Sequence, residues 1–438
     1  MRKGRGKHRV VVSLIVVAVA MASLGLAAPA GAQKGKVPGV TADEIRVCGV
    51  AGVTNPTGVP YQDGFAGIKG YFQQVNKKGG VFGRQLKLVG EYDDQTRDSK
   101  NIQAVRACVE DDKAFAVAPM VTQTFAGAKY LVDNGVPTFG WNIQEQWKLG
   151  PNLFGEKGSF LCMTCPNLTP VFIAQAQGSH KAAAFGYGSS PQSADCANNI
   201  KSSFEKWNFP FAFTDTSLSF GFSANDVSAI VQAVKDQGVD FIVACMDLNG
   251  EINLNKALRA AGINNVKFWA PQGYDSENLK KYGNDLQGMY FIVDFVPFEL
   301  SQGNKEMTTF LKTMQAAGQA PTEQALAGWM NGALLVAGIK AAGKNFDRQK
   351  VIDAINSMSD WTANGLRQTI DWTGKTTAAH HGPDPVGAQG CEAYVTVENG
   401  KFVPQFKTTP ATPFICFSVN PYPATLTNPT YSNGDTAK

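Results

Sequence analysis

From residue 44 onward, the apolar positions switch repeatedly between a strand period and a helix period. Residues 44–50 read as a strand, and residues 63–76 carry Phe65, Ile68, Tyr71, Phe72 and Val75 at helical spacing. Gly79 and Gly80 follow where glycine stops a helix. The same switching predicts strands over 85–92, 115–118 and 136–139, with helices over 99–111 and 123–133. It pauses over 147–169 and then resumes. Strands are predicted over 182–187, 211–215, 239–245, 267–270 and 288–293, and helices over 193–206, 225–237 and 249–261. Such alternation implies parallel sheets covered by helices on both faces. Two runs of similar length, meeting near residue 164, predict an α/β chain of two doubly wound lobes. Residues 303–356 read as helical, with an apolar run over 325–339. A hairpin is predicted over 392–406, turning at Glu398, Asn399 and Gly400. The Pro/Thr/Asn-rich tail after about residue 418 is expected to be loosely ordered.

The first 32 residues follow neither period. Arg2, Lys3, Arg5, Lys7 and Arg9 come without an acid, residues 10–28 carry no charge, and Ala30, Gly31 and Ala32 supply small residues. Basic start, apolar run and small-residue end make a secretory signal peptide over 1–32, cleaved near Ala32. An uncleaved membrane anchor is the rival reading, since the apolar run nearly reaches bilayer length. The first cysteine is Cys48, so no lipid-anchoring cysteine follows the leader. The remaining chain is expected in the periplasm, outside the cell or in the cell envelope, with no other segment apolar enough to span a membrane.

Export changes what composition means. The 438 residues are 44% hydrophobic and 17% charged, enough for a sizeable core and for two or three domains. A net charge of +4 hints at an anionic partner, but without the leader 35 basic residues face 36 acidic ones. The hint of nucleic acid or anionic membrane goes with it. Eight cysteines, an even number, suit an oxidising compartment: Cys48, Cys108, Cys162, Cys165, Cys196, Cys245, Cys391 and Cys416. Cys391 with Cys416, flanking the hairpin, is the first pairing expected, and Cys48 with Cys108 the second. Cys162 and Cys165 have redox-motif spacing, but Pro166 and a loop-like setting favour a structural bridge.

Signatures of catalysis are missing. His380 and His381 have no second cluster at ligand spacing, so no metal is expected. The run Gly186-Tyr187-Gly188-Ser189-Ser190 is not a nucleophile elbow. Neither a phosphate loop nor a dinucleotide fingerprint occurs. The chain is read as a non-enzyme without a cofactor.

A more specific pattern begins at Asn76. Gly79-Gly80-Val81-Phe82-Gly83-Arg84 leads to a strand with Leu86 and Leu88, and then to Asp93-Asp94-Gln95. Val136-Pro137 follows on the fourth strand, and Asn225-Asp226-Val227 leads to Gly238-Val239-Asp240 in the second half. Over roughly residues 44–400 this resembles the type I substrate-binding proteins of ABC importers, in particular the branched-chain amino acid-binding family. The resemblance implies two lobes joined by a three-segment hinge, here 44–163 with 292–369 and 164–291 with 370–438. It also implies a monomer that closes on a small ligand and delivers it to permease subunits of an importer. An extracellular sensor signalling through a membrane receptor is the alternative. Relatives that sense amides or urea share the fold, so the ligand stays open.

In such sheets, ligands bind beyond the carboxyl ends of the strands. The first-lobe loops there carry Thr54 and Tyr61; Val121, Thr122, Gln123, Thr124 and Phe125; and Gly140, Trp141 and Asn142. The resemblance implies that the second loop gives hydroxyls to a ligand carboxylate; for Thr122 a helix cap is an equal reading. Polar flanks argue that Tyr61 and Trp141 are exposed in the cleft rather than buried in the core. Second-lobe candidates are Tyr187, Ser189, Gln192, Asp247, Gln272 and Tyr274. An α-ammonium group needs a carboxylate, because an unpaired buried charge is costly. The family often has Glu where this chain has Gln272, a departure that Asp247 or Asp275 can make good, although Asp275 also reads as a turn or cap. With Gln272, Tyr61, Trp141 and Tyr274, the expected ligand is neutral or a carboxylate, with an apolar or aromatic body.

Overall fold

The computed structural model describes residues 37–156, 168–373, 391–406, 408–417 and 436–437. The expected leader, Cys162, Cys165, His380, His381 and most of the tail lie outside the described residues.

Two sheets result from the two runs. The first run gives β1 (Glu44–Ala51), α1 (Asp63–Asn76), β2 (Gln85–Asp93), α2 (Asp98–Arg106), β3 (Ala116–Val121), α3 (Ala128–Asp133), β4 (Thr138–Gly140) and β5 (Leu153–Gly155). Its strands form a sheet in the order β2-β1-β3-β4-β5, every neighbouring pair parallel. The second run gives α4 (Leu168–Ala176), β6 (Ala182–Tyr187), α5 (Pro191–Lys206), β7 (Phe211–Leu218), α6 (Ser228–Gln237), β8 (Phe241–Cys245), α7 (Leu248–Ala260), β9 (Lys267–Ala270), α8 (Ser276–Tyr282) and β10 (Met289–Val293). The helices α9 (Lys305–Ala316), α10 (Glu323–Ala342) and α11 (Arg348–Ile355) follow, then β11 (Cys391–Glu398), β12 (Lys401–Pro404), β13 (Ile415–Phe417) and β14 (Thr436–Ala437). The second sheet runs β14-β13-β11-β10-β9-β8-β6-β7, with β12 paired to β11. It is mixed, because β11 lies antiparallel to β10.

The strand sequences explain this layering. Every residue of β3, β6 and β8 is buried, as in parallel strands covered on both faces. The helix α10 is apolar on all sides and packs against α1, α11 and β3. It is long and apolar enough to cross a membrane by composition, contrary to the expectation that no such segment follows the leader; here it is a core helix. The Gly-Gly-Val-Phe-Gly-Arg turn is a backbone requirement. Gly80 has φ +75°, and a Cβ there would lie 2.0 Å from the Arg84 carbonyl oxygen.

The predicted hairpin forms with Asn399 at φ 51° and Gly400 at φ 72°, the left-handed pair a two-residue turn demands. Cys48 and Cys108 are disulfide-bonded as expected, and a second bridge joins Cys196 on α5 to Cys245 on β8. Cys391 and Cys416 stand opposite each other in the β11–β13 register.

Candidate ligand-binding site

The loop after β1 is built around Asn55. Its Nδ2 donates to the Gly52 and Val59 carbonyls, and its Oδ1 accepts from the Thr57 N–H and hydroxyl. Thr54 is spent on the same loop, donating from N–H and hydroxyl to Asp93. The folded loop carries Tyr61 inward, where its ring meets that of Trp141 at 5.5 Å between centroids. Gly140, just before Trp141, lies against β3, where a Cβ would stand 2.1 Å from the Met120 carbonyl oxygen. The exposure expected of both aromatics is corrected: Tyr61 is 0% and Trp141 5% exposed, each covering the other. Yet the Tyr61 hydroxyl and the Trp141 indole N–H make no hydrogen bond within the protein.

The loop after β3 is held by buried acids. Thr122 donates to Asp94 at 2.9 Å, and Asp94 also accepts from Asn101 at 2.8 Å. Burial pushes the Asp94 carboxyl up, while these donors pull it down. Thr124 donates to Asp98. Asn101 accepts the Gly127 N–H, which keeps residues 123–127 out of the helix expected from residue 123; α3 starts at Ala128, and Thr122 is not its cap. Val121 and Asn142 are buried, the latter with its side chain against Gly155.

From the second sheet comes a compact acidic group. Tyr187, ending β6, donates to Asp247 Oδ2 at 2.7 Å. Asp247 caps α7, accepting from the Asn249 and Gly250 N–H groups at 2.9 and 3.2 Å. One turn later, Glu251 is 0% exposed with neither carboxyl oxygen partnered. Burial first, and the Asp247 charge second, push its carboxyl well above the usual range. Burial and Asp247 likewise raise the Tyr187 hydroxyl. The Gln272 Oε1 is buried without a partner. Tyr274 is turned aside: its hydroxyl donates to Glu299 and accepts the Phe298 N–H, and its ring packs on Phe298 and Phe402. Asp275 caps α8, as a turn or cap reading requires. Ser189 is exposed, and Gln192 is half-buried in the first turn of α5.

The two sets meet. Asn249 Nδ2 donates to the Thr57 carbonyl at 2.9 Å and its Oδ1 accepts from Tyr282 at 3.0 Å. Burial raises the Tyr61 hydroxyl above the usual phenol range, and the Asp247 charge adds to this; Thr57, Gln123 and Gln272 stand near enough to pull it down, though none meets hydrogen-bond geometry with it. A cavity of about 90 Å³ opens alongside, lined by Thr57, Pro60, Asn249, Gln272, Tyr282 and Gln324 among others. The structure therefore gathers Tyr61, Gln123, Trp141, Tyr187, Asp247 and Gln272, and holds Thr54, Ser189 and the Tyr274 hydroxyl apart. Sequence reasoning missed Glu251 and Asn249. The signal for Glu251 was its place one helical turn after Asp247. No group of three His, Cys, Asp or Glu side chains suited to a metal occurs among the described residues.

A search of curated proteins finds no match. Among solved structures, the chain is similar to a branched-chain amino acid transporter substrate-binding protein from Streptococcus pneumoniae in complex with isoleucine, at 17% identity and TM-score 0.67 over 83% of this chain and 99% of that one. A fatty acid ABC transporter substrate-binding protein from Thermomonospora curvata gives 14% identity and TM-score 0.67 over 86% and 95%. A solute-binding protein of an ABC transporter from R. palustris, in complex with benzoate, gives 20% identity and TM-score 0.63 over 82% and 95%. These likenesses establish the two-sheet fold. The model of the family described as periplasmic binding protein matches residues 44–387, most of the length that carries both sheets, and the chain belongs to that family.

Proposed function

We propose that this chain is an exported solute-binding protein that captures a small organic ligand between two lobes by hinge closure and delivers it to an ABC importer. The observation that carries the reading is the set of buried, unpartnered polar atoms where loops of the two sheets meet: Tyr61 hydroxyl, Trp141 indole N–H and Gln272 Oε1. Unmade hydrogen bonds are costly, and a ligand that supplies the partners recovers that cost. The lobes are residues 44–163 with 292–369 and 164–291 with 370–438, and the leader is removed near Ala32. The partner is the importer's permease, reached by a monomer, and no chemistry is done on the ligand. The relatives' isoleucine, fatty acid and benzoate bound the ligand class to amino-acid-like, amide or more apolar carboxylate solutes.

A thermal-shift screen of the mature protein against amino acids, amides, aromatic acids and longer aliphatic acids tests this. A ligand at a hundred times its Kd stabilises by about 2.7 kcal/mol, a shift of several degrees. The same ligand should lower the radius of gyration in solution scattering. No shift from any of these classes would sink the reading.

A further inference from the structure

The chain passes between the two sheets three times, and each passage brings one charged residue to a shared place. Glu156 directly follows β5 of the first sheet. Asp294 directly follows β10 of the second, before α9, α10 and α11 carry the chain back against α1 and β3. Arg367 lies beyond α11, on the way to β11 of the second sheet. Glu156 is 4% exposed, and the Arg367 and Asp294 side chains are 8% and 15% exposed. Backbone ties hold the place together: the Val296 N–H donates to the Leu366 carbonyl at 2.7 Å, and the Glu156 N–H to the Gly140 carbonyl at 2.8 Å. The rings of Phe154 and Trp372 meet edge to face at 5.3 Å between centroids.

A buried guanidinium is costly unless it is both paired and hydrogen-bonded. Arg367 is paired without being bonded to its acid. Its Nη1 stands 3.7 Å from Asp294 Oδ2, and neither Nη1 nor Nε has a hydrogen-bond partner. Burial pulls the guanidinium down from its usual range, while the Asp294 charge, and after it that of Glu156, pull it up. Two acids, carried on two passages, thus attract one cation on the third. The loose pairing belongs to an arrangement in which the two sheets are in contact, with Asn249 on the Thr57 carbonyl. Turning one sheet's layers against the other bends the chain at its passages, which changes the spacing of groups carried on different ones.

We infer that Arg367, Asp294 and Glu156 form a clasp at the hinge, loose while the lobes are together and drawn tight as they part, which holds the empty protein open. This rests on the hinge-closure reading above and adds to it what sets the resting state. Bringing the guanidinium from 3.7 Å to hydrogen-bond distance of a carboxylate is worth about tenfold in a two-state equilibrium, at the permittivity of a partly buried site. Buried ion groups add little net stability, and their use here lies in favouring one arrangement over another. An open resting state leaves the cleft free to take up solute, and closing waits for a solute to oppose the clasp.

The test uses Asp294→Asn and Glu156→Gln, each of which removes one acid from the clasp and keeps its shape. In ligand-free mature protein, each should lower the radius of gyration in solution scattering relative to wild type. Calorimetry with L-leucine, benzamide and 3-phenylpropanoate as probes should show affinity raised about tenfold for every probe that binds, because a larger share of the protein starts closed. If none of these probes binds, scattering alone decides. Should an Asn or Gln variant fail to fold, Arg367→Lys, which keeps the charge and loses the planar fork, should move both readings the same way. Thermal melts separate the clasp from a plain structural role. A lower melting temperature with radius and affinities at their wild-type values overturns the inference, as does a larger radius or weaker binding. Any of these results leaves the solute-binding reading standing, since that falls only if no solute of the wider screen shifts the wild-type melt.

Discussion

Glu251 is a residue whose cost depends on pH. Its oxygens have no partners in the folded chain, so the folded state favours the protonated acid. A carboxyl raised by folding is neutral in both states below its unfolded pKa, and there it costs least. As pH climbs from about 4 toward the raised folded value, only the unfolded chain loses its proton, and stability falls. Glu251→Gln removes this titration while keeping the shape. In ligand-free protein, its melting temperature should exceed the wild type's at about pH 8, by the equivalent of about 1–3 kcal/mol, and should converge with it near pH 4. Parallel thermal melts across that window check it; a constant offset at every pH would contradict it. Tyr61 and Trp141 hold unmade bonds of a similar kind, a pattern expected where stability is given up for binding.

At the scale of elements, the α1–α10 pair shows how glycine sets distance. A Cβ on Gly67 would lie 1.7 Å from the Ala325 carbonyl oxygen, and one on Gly328 would lie 2.0 Å from that of Gly64. The two backbones touch, and no side chain fits between them. Gly67→Ala should therefore destabilise by at least about 1–3 kcal/mol, despite its better helix propensity; denaturant melts that showed stabilisation would refute the packing account. This contact was invisible in the sequence, since Gly67 reads as an ordinary interruption of the helical period. What was legible is what has a period. The bounds of α1, β6 and β9 are those the pattern predicts. The three residues of β5 are too short to display any period, and α8 is a two-turn helix with no buried face to mark it. Site residues were legible where they end a strand or open a helix, as Tyr187 and Asp247 do. Tyr274 was not, because its partners Glu299 and Phe402 lie far along the chain. Nor was Glu251, since an acid in a helix's first turn ordinarily serves the helix dipole.

For the whole molecule, the Asn249–Thr57 bond is a direct link between the loop after β1 of one sheet and the first turn of α7, after β8 of the other. A neutral bond of this kind contributes about 0.5–1.5 kcal/mol, which is a several-fold bias in a two-state equilibrium. Asn249→Ala should shift unliganded protein toward larger radii of gyration in solution scattering, while saturating ligand restores the wild-type value. Identical scattering with and without the substitution would assign Asn249 no part in closure. The two described disulfides bear on a different process. Cys48–Cys108 ties β1 to the turn after α2, and Cys196–Cys245 ties α5 to β8. Each bridge uses cysteines of one sheet's own run, in chain order. A polypeptide delivered N-terminus first into an oxidising compartment can seal the first bridge once residue 108 has emerged, before any of the second sheet exists. Each crosslink therefore lies within its own sheet's run, and neither ties one sheet to the other.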